Sequence, residues 1–171
     1  MAEIFVLRVV HVLGGMFWVG SALFSMFYLF PAMGEAGAAA GAIMGSMRRR
    51  HLFVVMPAVA LLTILSGLRL MWMMSGGFPA AYFATGRGAT YAWSGAAAIV
   101  AFMAGVFVQR PTGVRMGEIQ QALARTTDEH TRAEMAAQLE RLQRRNEMVA
   151  RVLVVLLIVA AAGMAVGRYV P

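Results

Sequence analysis

Apolar and polar positions divide the chain into four long apolar runs and one polar segment. The first run covers residues 4–30, is interrupted only by Arg8 and His11, and meets Pro31. A Gly/Ala-rich stretch, residues 32–46, carries the single charge Glu35 and leads into the basic cluster Arg48-Arg49-Arg50. The second run, from about 51 to 74, ends in Ser75-Gly76-Gly77-Phe78-Pro79, where glycine and proline both break a helix. The third, 89–108, stops before Arg110-Pro111, and the fourth covers 152–166. A bilayer-spanning helix takes about 20 mostly apolar residues. The pattern therefore predicts spanning helices over about 4–31, 50–74, 89–110 and 150–169. The first run is too long for the apolar part of a signal peptide, and no clean small-residue cleavage site follows it.

The polar segment between the third and fourth runs is rich in Gln, Glu, Arg and Ala, all good helix formers. Met116, Ile119 and Leu123 mark one apolar stripe. Met135, Leu139, Leu142, Asn146 and Val149 mark a second, a short heptad pattern in which Asn146 takes a seam position where a buried polar group fixes register. Thr126-Thr127-Asp128-Glu129 reads as a turn followed by an N-cap and an acidic first turn. The expected fold is all-α: a polytopic membrane four-helix bundle, one membrane domain over residues 1–171. A cytoplasmic antiparallel helical hairpin, residues 111–150, extends its third and fourth helices. The alternation of Arg and Glu along the hairpin is the pattern of a solvated face, or of a surface that docks a partner.

Composition supports the membrane reading. Hydrophobic residues make up 60% of the chain and charged residues 13%, where soluble domains have roughly 45–50% and about 25%. The mean hydropathy is +0.70. With no cysteine there are no disulfides and no thiolate ligands. All 15 basic side chains are arginine, which excludes lysine Schiff-base chemistry. The net charge of +7 belongs to a membrane surface and not to a nucleic-acid partner. Arg48, Arg49 and Arg50 in one connection and Arg110, Arg115, Arg125, Arg132, Arg141, Arg144, Arg145 and Arg151 in another make eleven of the 15. The positive-inside rule places both connections in the cytoplasm. Both termini and the connection at 76–87 then face outward, which in a bacterial inner membrane is the periplasm.

Ionisable groups inside a bilayer are costly, so each is a candidate functional group. His11 lies about seven residues inside the outer end of the first helix, roughly 10 Å deep, with Arg8 one turn above it. Arg69 and Arg168 approach the same level from the second and fourth helices. Depth counting puts Gly67, Ala97 and Met164 level with His11, with Met16, Met71 and Met103 within two turns. His51 falls level with about residue 27, on the order of 24 Å away, so the two histidines cannot share one metal ion. Its expected role is structural, at the start of the second helix; His130 is expected to be exposed. Arginines on the face that should be poor in them call for an anionic ligand. A haem b with His11 as axial ligand supplies two propionates, for which arginine is a bidentate partner. In that arrangement Gly14 and Gly15, one turn below His11, give a flat macrocycle room beside Trp18 and Ala22. In the alternative, the arginines snorkel to the headgroups and the small residues form a helix-packing seam. The 15 methionines open a second ligand chemistry, a soft copper(I) site built on His11, Met16 and Met164. Trp72 and Trp93 fit an aromatic belt, Trp18 sits near mid-bilayer, and Pro57 is expected to kink the second helix. No acidic residue lies inside an apolar run, which argues against a proton-coupled transporter.

The first helix, Leu7-Arg8-Val9-Val10-His11 through Gly14-Gly15 to Trp18-Val19-Gly20, carries the pattern H-x6-W-x-G. It resembles the opening helix of the CopD-like copper-resistance membrane proteins and of the HemJ-type protoporphyrinogen oxidases. The second helix, with Met47-Arg48-Arg49-Arg50-His51-Leu52-Phe53, Met56-Pro57-Ala58 and 63–67, is similar to the HemJ-type M-x-R-R-L-Y…P-A…G stretch. The resemblance covers residues 4–74 and implies a membrane bundle of four or more helices in which His11 serves haem b. HemJ-type proteins also carry a lysine early in the third helix, where this chain reads Tyr91-Ala92-Trp93-Ser94-Gly95; protoporphyrinogen oxidation is therefore not expected. The expectation is an integral membrane haem b protein for electron transfer or haem handling. His11 is the axial ligand, the sixth position is open or held by Met164, and Arg8 and Arg69 hold the propionates. A homo-oligomer or a membrane redox partner belongs to that reading. The alternatives are a copper-binding or copper-translocating protein, and a non-catalytic subunit whose hairpin docks a partner.

Overall fold

The computed structural model describes residues 1–37 and 39–171, so the Gly/Ala-rich stretch is described apart from Ala38. The described residues are helical almost throughout, with no strand among them. The helices are α1 (Ala2–Phe24), α2 (Phe30–Glu35), α3 (Ala39–Arg49), α4 (Leu52–Ser75), α5 (Ala80–Phe83), α6 (Gly86–Ala104), α7 (Arg110–Leu123) and α8 (Glu129–Val166). Four continuous helical stretches are long and apolar enough to cross a membrane: Ala2–Glu35, Leu52–Ser75, Gly86–Leu123 and Glu129–Tyr169. Between 6% and 28% of each spanning window is buried within the protein. Much of that apolar surface thus faces outward, which an aqueous monomer does not tolerate and a bilayer requires.

The first helix passes through Pro31, which was expected to end it, and the third passes through Pro111 into the polar segment that was expected to extend it. Five-residue π-helical segments, Ser25–Leu29 and Gly105–Gln109, join α1 to α2 and α6 to α7. Each directly precedes a pair that ends in proline, Phe30-Pro31 and Arg110-Pro111. Proline lacks an N–H, and its ring clashes with the carbonyl four residues back. The wider π turn, in which Phe30 N–H donates to Ser25 O and Arg110 N–H to Gly105 O, re-registers the ladder so that the helix continues. The first span therefore runs to Glu35 and the third to Leu123, while the fourth begins at Glu129. The polar segment at 111–150 is built from the same continuous helices as the spans.

The turns follow the expected chemistry. Gly76 (φ 72°) closes α4 in the left-handed region, Gly77 follows at φ 98°, and Ser75 Oγ accepts from Phe78 N–H at 2.9 Å. His51, exposed and left-handed at φ 57°, is the N-cap of α4, where its carbonyl accepts from the N–H groups of Val54 and Val55. Pro57 stands inside α4.

The chain divides into two units. Unit 1, Met1–Phe102 with Val154–Pro171, buries Trp18, Ala60, Leu70, Ala101, Val154, Leu157 and Ala160. Its buried hydroxyls bond backward into their own helices: Thr63 to Val59 O (2.9 Å), Ser66 to Leu62 O (2.7 Å) and Ser94 to Thr90 O (2.7 Å). That satisfies polar groups where no water reaches them. Unit 2, Met103–Leu153, buries Ile119, Ala150 and Leu153. Met116, Leu123, Met135, Leu139, Leu142, Asn146 and Val149 are half-buried there, while the Arg and Glu positions are exposed. Arg144–Glu140 (2.6 Å) and Arg115–Glu118 (3.3 Å) pair along that solvated face. His130 is exposed, 3.8 Å from Glu134. Asn146 Oδ1 is sealed from solvent with no hydrogen-bond partner. Asp128 caps α8, its carboxylate accepting from both the backbone N–H (2.8 Å) and the hydroxyl of Thr131.

Candidate functional site

The site is built on the α1–α4 contact of unit 1. On α1, Leu7, His11, Gly14 and Trp18 recur at helical spacing. On α4, Val59, Thr63, Gly67 and Leu70 do the same. Running antiparallel, the two rows meet at three levels. At the first, Gly14 faces Thr63: a Cβ on Gly14 would collide with Thr63 Oγ1 and lie 3.7 Å from Val59 Cγ1. At the second, His11 lies over Gly67, where a Cβ would come within 2.6 Å of His11 Cε1 and 2.9 Å of Nδ1. At the third, Arg69 reaches Glu3, through Nε at 2.9 Å and Nη2 at 2.7 Å, and stacks over the Trp72 ring at 4.7 Å.

The imidazole is held at a definite atom. His11 Nδ1 lies 2.8 Å from the backbone carbonyl of Thr63. A carbonyl only accepts, so Nδ1 is the donor, and the neutral ring keeps its lone pair on Nε2. Ser66 Oγ lies 3.0 Å from the same carbonyl and shares its single proton between it and Leu62 O, which is nearer at 2.7 Å. A histidine anchored by Nδ1–H on a main-chain carbonyl, with Nε2 uncommitted, is in the state of a metal-ligating histidine. Nε2 has no hydrogen bond among the described residues, and the side chain is half-buried.

The other expected site residues are distributed unevenly. Gly14 and Gly67 are consumed by the helix contact, and Gly15 lies 3.7 Å from Thr63 Cγ2. These glycines let α1 approach α4, which is the packing-seam arrangement. Arg69 is committed to Glu3. Arg8 is exposed and has no ion-pair partner among the described residues. Trp18 is buried and meets Phe102 edge-on, ring centroids 6.4 Å apart. Met164 follows Gly163, which lies against Ser94 and Thr90 of α6. Met16 and Met103 are exposed, at 68% and 47%. Among the described residues no group of three or more His, Asp or Glu could hold a metal ion.

Sequence reasoning missed two participants in the site and one buried polar group outside it. Glu3 lies at the very start of the first helix, outside the first apolar run, and was not weighed as a partner for Arg69. The carbonyl of Thr63 is a main-chain group with no signature in residue type. Away from this site, Tyr82, in the connection between α4 and α6, has a hydroxyl sealed without a hydrogen-bond partner. Burial pushes its pKa up, as does nearby Tyr91, with Arg87 acting in the opposite direction. No protein-family profile, curated protein or solved structure matches the chain.

Proposed function

We propose that this chain is a polytopic membrane protein that binds haem b, with His11 Nε2 as the axial ligand. The observation that carries the reading is the His11 Nδ1–H hydrogen bond to Thr63 O at 2.8 Å. It fixes the tautomer and leaves one basic nitrogen without a partner inside an apolar bundle. The donor set fits a single axial ligation. The glycines beside His11 are already filled by Thr63 and by His11 itself, so they do not supply the room a macrocycle needs. Because Arg69 is engaged by Glu3, Arg8 is the arginine assigned to a propionate. Bound haem supplies one-electron chemistry or a seat for a small ligand. This chain's part is to hold the imidazole in one orientation and tautomer through Thr63 O and to exclude water with its apolar helices. The role in the cell is electron transfer or haem handling.

The arginine distribution orients the bundle with the connection at 48–51 and the polar segment in the cytoplasm and both termini outside, the first and second halves of the polar segment packed as an antiparallel hairpin. Haem quantified by the pyridine haemochromogen assay on protein purified from haem-replete cells tests the ligand assignment. About one haem per chain in the wild type, lost in His11→Ala with the helical CD spectrum retained, is expected. A wild type without haem overturns it.

A further inference from the structure

The ring-on-glycine contact of the α1–α4 pair occurs a second time. In the α6–α8 pair, Gly167, at the start of the 3-10 turn Gly167–Tyr169 that continues α8, lies under the ring of Tyr91, where a Cβ would come within 2.6 Å of Tyr91 Cε1. One turn along, the small-residue contact also recurs: a Cβ on Gly163 would collide with Ser94 Oγ and lie 3.3 Å from Ser94 Cβ. The positions correspond in strict register. Tyr91 and Ser94 stand eighty residues after His11 and Gly14, and Gly167 and Gly163 stand one hundred after Gly67 and Thr63. The same eighty-residue step carries the π segment Ser25–Leu29 onto Gly105–Gln109, and Phe27 and Pro31 onto Phe107 and Pro111. The hundred-residue step carries Val54, Val55, Val59, Ala60 and Gly67 onto the identical residues Val154, Val155, Val159, Ala160 and Gly167. Ala60 and Ala160 are both buried.

The π turns follow from the prolines, but the prolines and the close glycine contacts have separate physical causes, so their agreement at one constant offset per helix does not follow from apolar composition alone. We propose that the two helix pairs are copies of one unit and that Tyr91 occupies, in the second copy, the seat that His11 occupies in the first. The second copy is a closed version of the ligand site. Its glycine seat is present and Gly163 takes the position of Thr63, but the ring on the seat is a phenol that offers no imidazole nitrogen. The chain therefore carries one ligand position where its architecture provides two, and Tyr91 is the residue that keeps the second one shut. The assignment of a ligand to these seats rests on the haem reading; the equivalence of the seats does not.

Two experiments on the full-length protein separate these claims. The chain has no cysteine, so introduced pairs report without background. A Cβ at Gly14 stands 3.7 Å from Thr63 Cβ, inside the disulfide range of about 3.5–4.5 Å, and the Ser94–Gly163 pair lies just short of it. Gly14→Cys with Thr63→Cys, and Ser94→Cys with Gly163→Cys, should both cross-link within the chain upon mild oxidation. Cross-linking of the first pair without the second overturns the equivalence. Introducing Tyr91→His into the His11→Ala protein should then restore haem to about one per chain, and into the wild type should raise it to about two. If the second pair cross-links, the wild type holds haem, and Tyr91→His adds none in either background, the second seat is not a closed ligand site and the proposal fails. A wild type devoid of haem overturns the seat as a haem position and leaves the cross-linking result to decide the duplication.

Discussion

His11 owes its state to two neighbours that act in different ways. Gly67 gives it space, and the carbonyl of Thr63 gives its Nδ1 hydrogen a partner. The depth count along the sequence placed Gly67 level with His11, and the structure puts them in contact. It could not foresee the carbonyl, because backbone acceptors leave no mark on residue type. Arg69 shows the reverse difficulty: a cation near the end of a span was legible, but its partner Glu3 lay outside the apolar pattern. Gly67→Ala forces a methyl against His11 Cε1 and should cost about 1–3 kcal/mol, the usual penalty for overfilling a packed contact. Gly20→Ala, with nothing within 4 Å of the new Cβ, should be neutral or stabilising by up to about 1 kcal/mol through helix propensity. Thermal melts of both variants in one detergent measure the difference; equal behaviour would contradict the tight seat.

At the scale of elements, four spans were readable from apolar run length because the bilayer imposes that length. Their ends were not. Pro31 looked like a stop and Pro111 like the end of an apolar run, and a five-residue π turn before each carries the helix onward. The effect depends on backbone hydrogen-bond register and leaves no trace in an apolar count. The N-cap of α8 was legible at Asp128. Its carboxylate accepts first from the Thr131 hydroxyl and then from the Thr131 N–H, and both hold its pKa below the ordinary 3.8. A depressed folded-state pKa means the cap contributes fully above the unfolded value and is lost as pH falls through the folded one. Protection factors at the first turn of α8, taken relative to the intrinsic exchange rate at each pH, should therefore be high at neutral pH and fall below pH 3.8. Asp128→Ala should show low protection at every pH. Wild-type protection that does not fall in acid would show that the cap does not hold the turn.

For the molecule as a whole, membrane residence rests on four spans whose surfaces are mostly outward-facing, and orientation rests on the arginine distribution. Single cysteines in the cysteine-free chain test the latter. Gly77→Cys should react with a membrane-impermeant maleimide in intact cells or spheroplasts, and Thr127→Cys only after lysis. The opposite labelling would invert the topology and place His11 in the cytoplasmic half. The central claim, that His11 ligates haem, is tested most directly by a dithionite-reduced minus oxidised absorption spectrum of the purified protein, wild type beside His11→Ala. A haem b α-band in the wild type that disappears in the variant is the predicted result. A colourless wild type, or a band unchanged in His11→Ala, would contradict it.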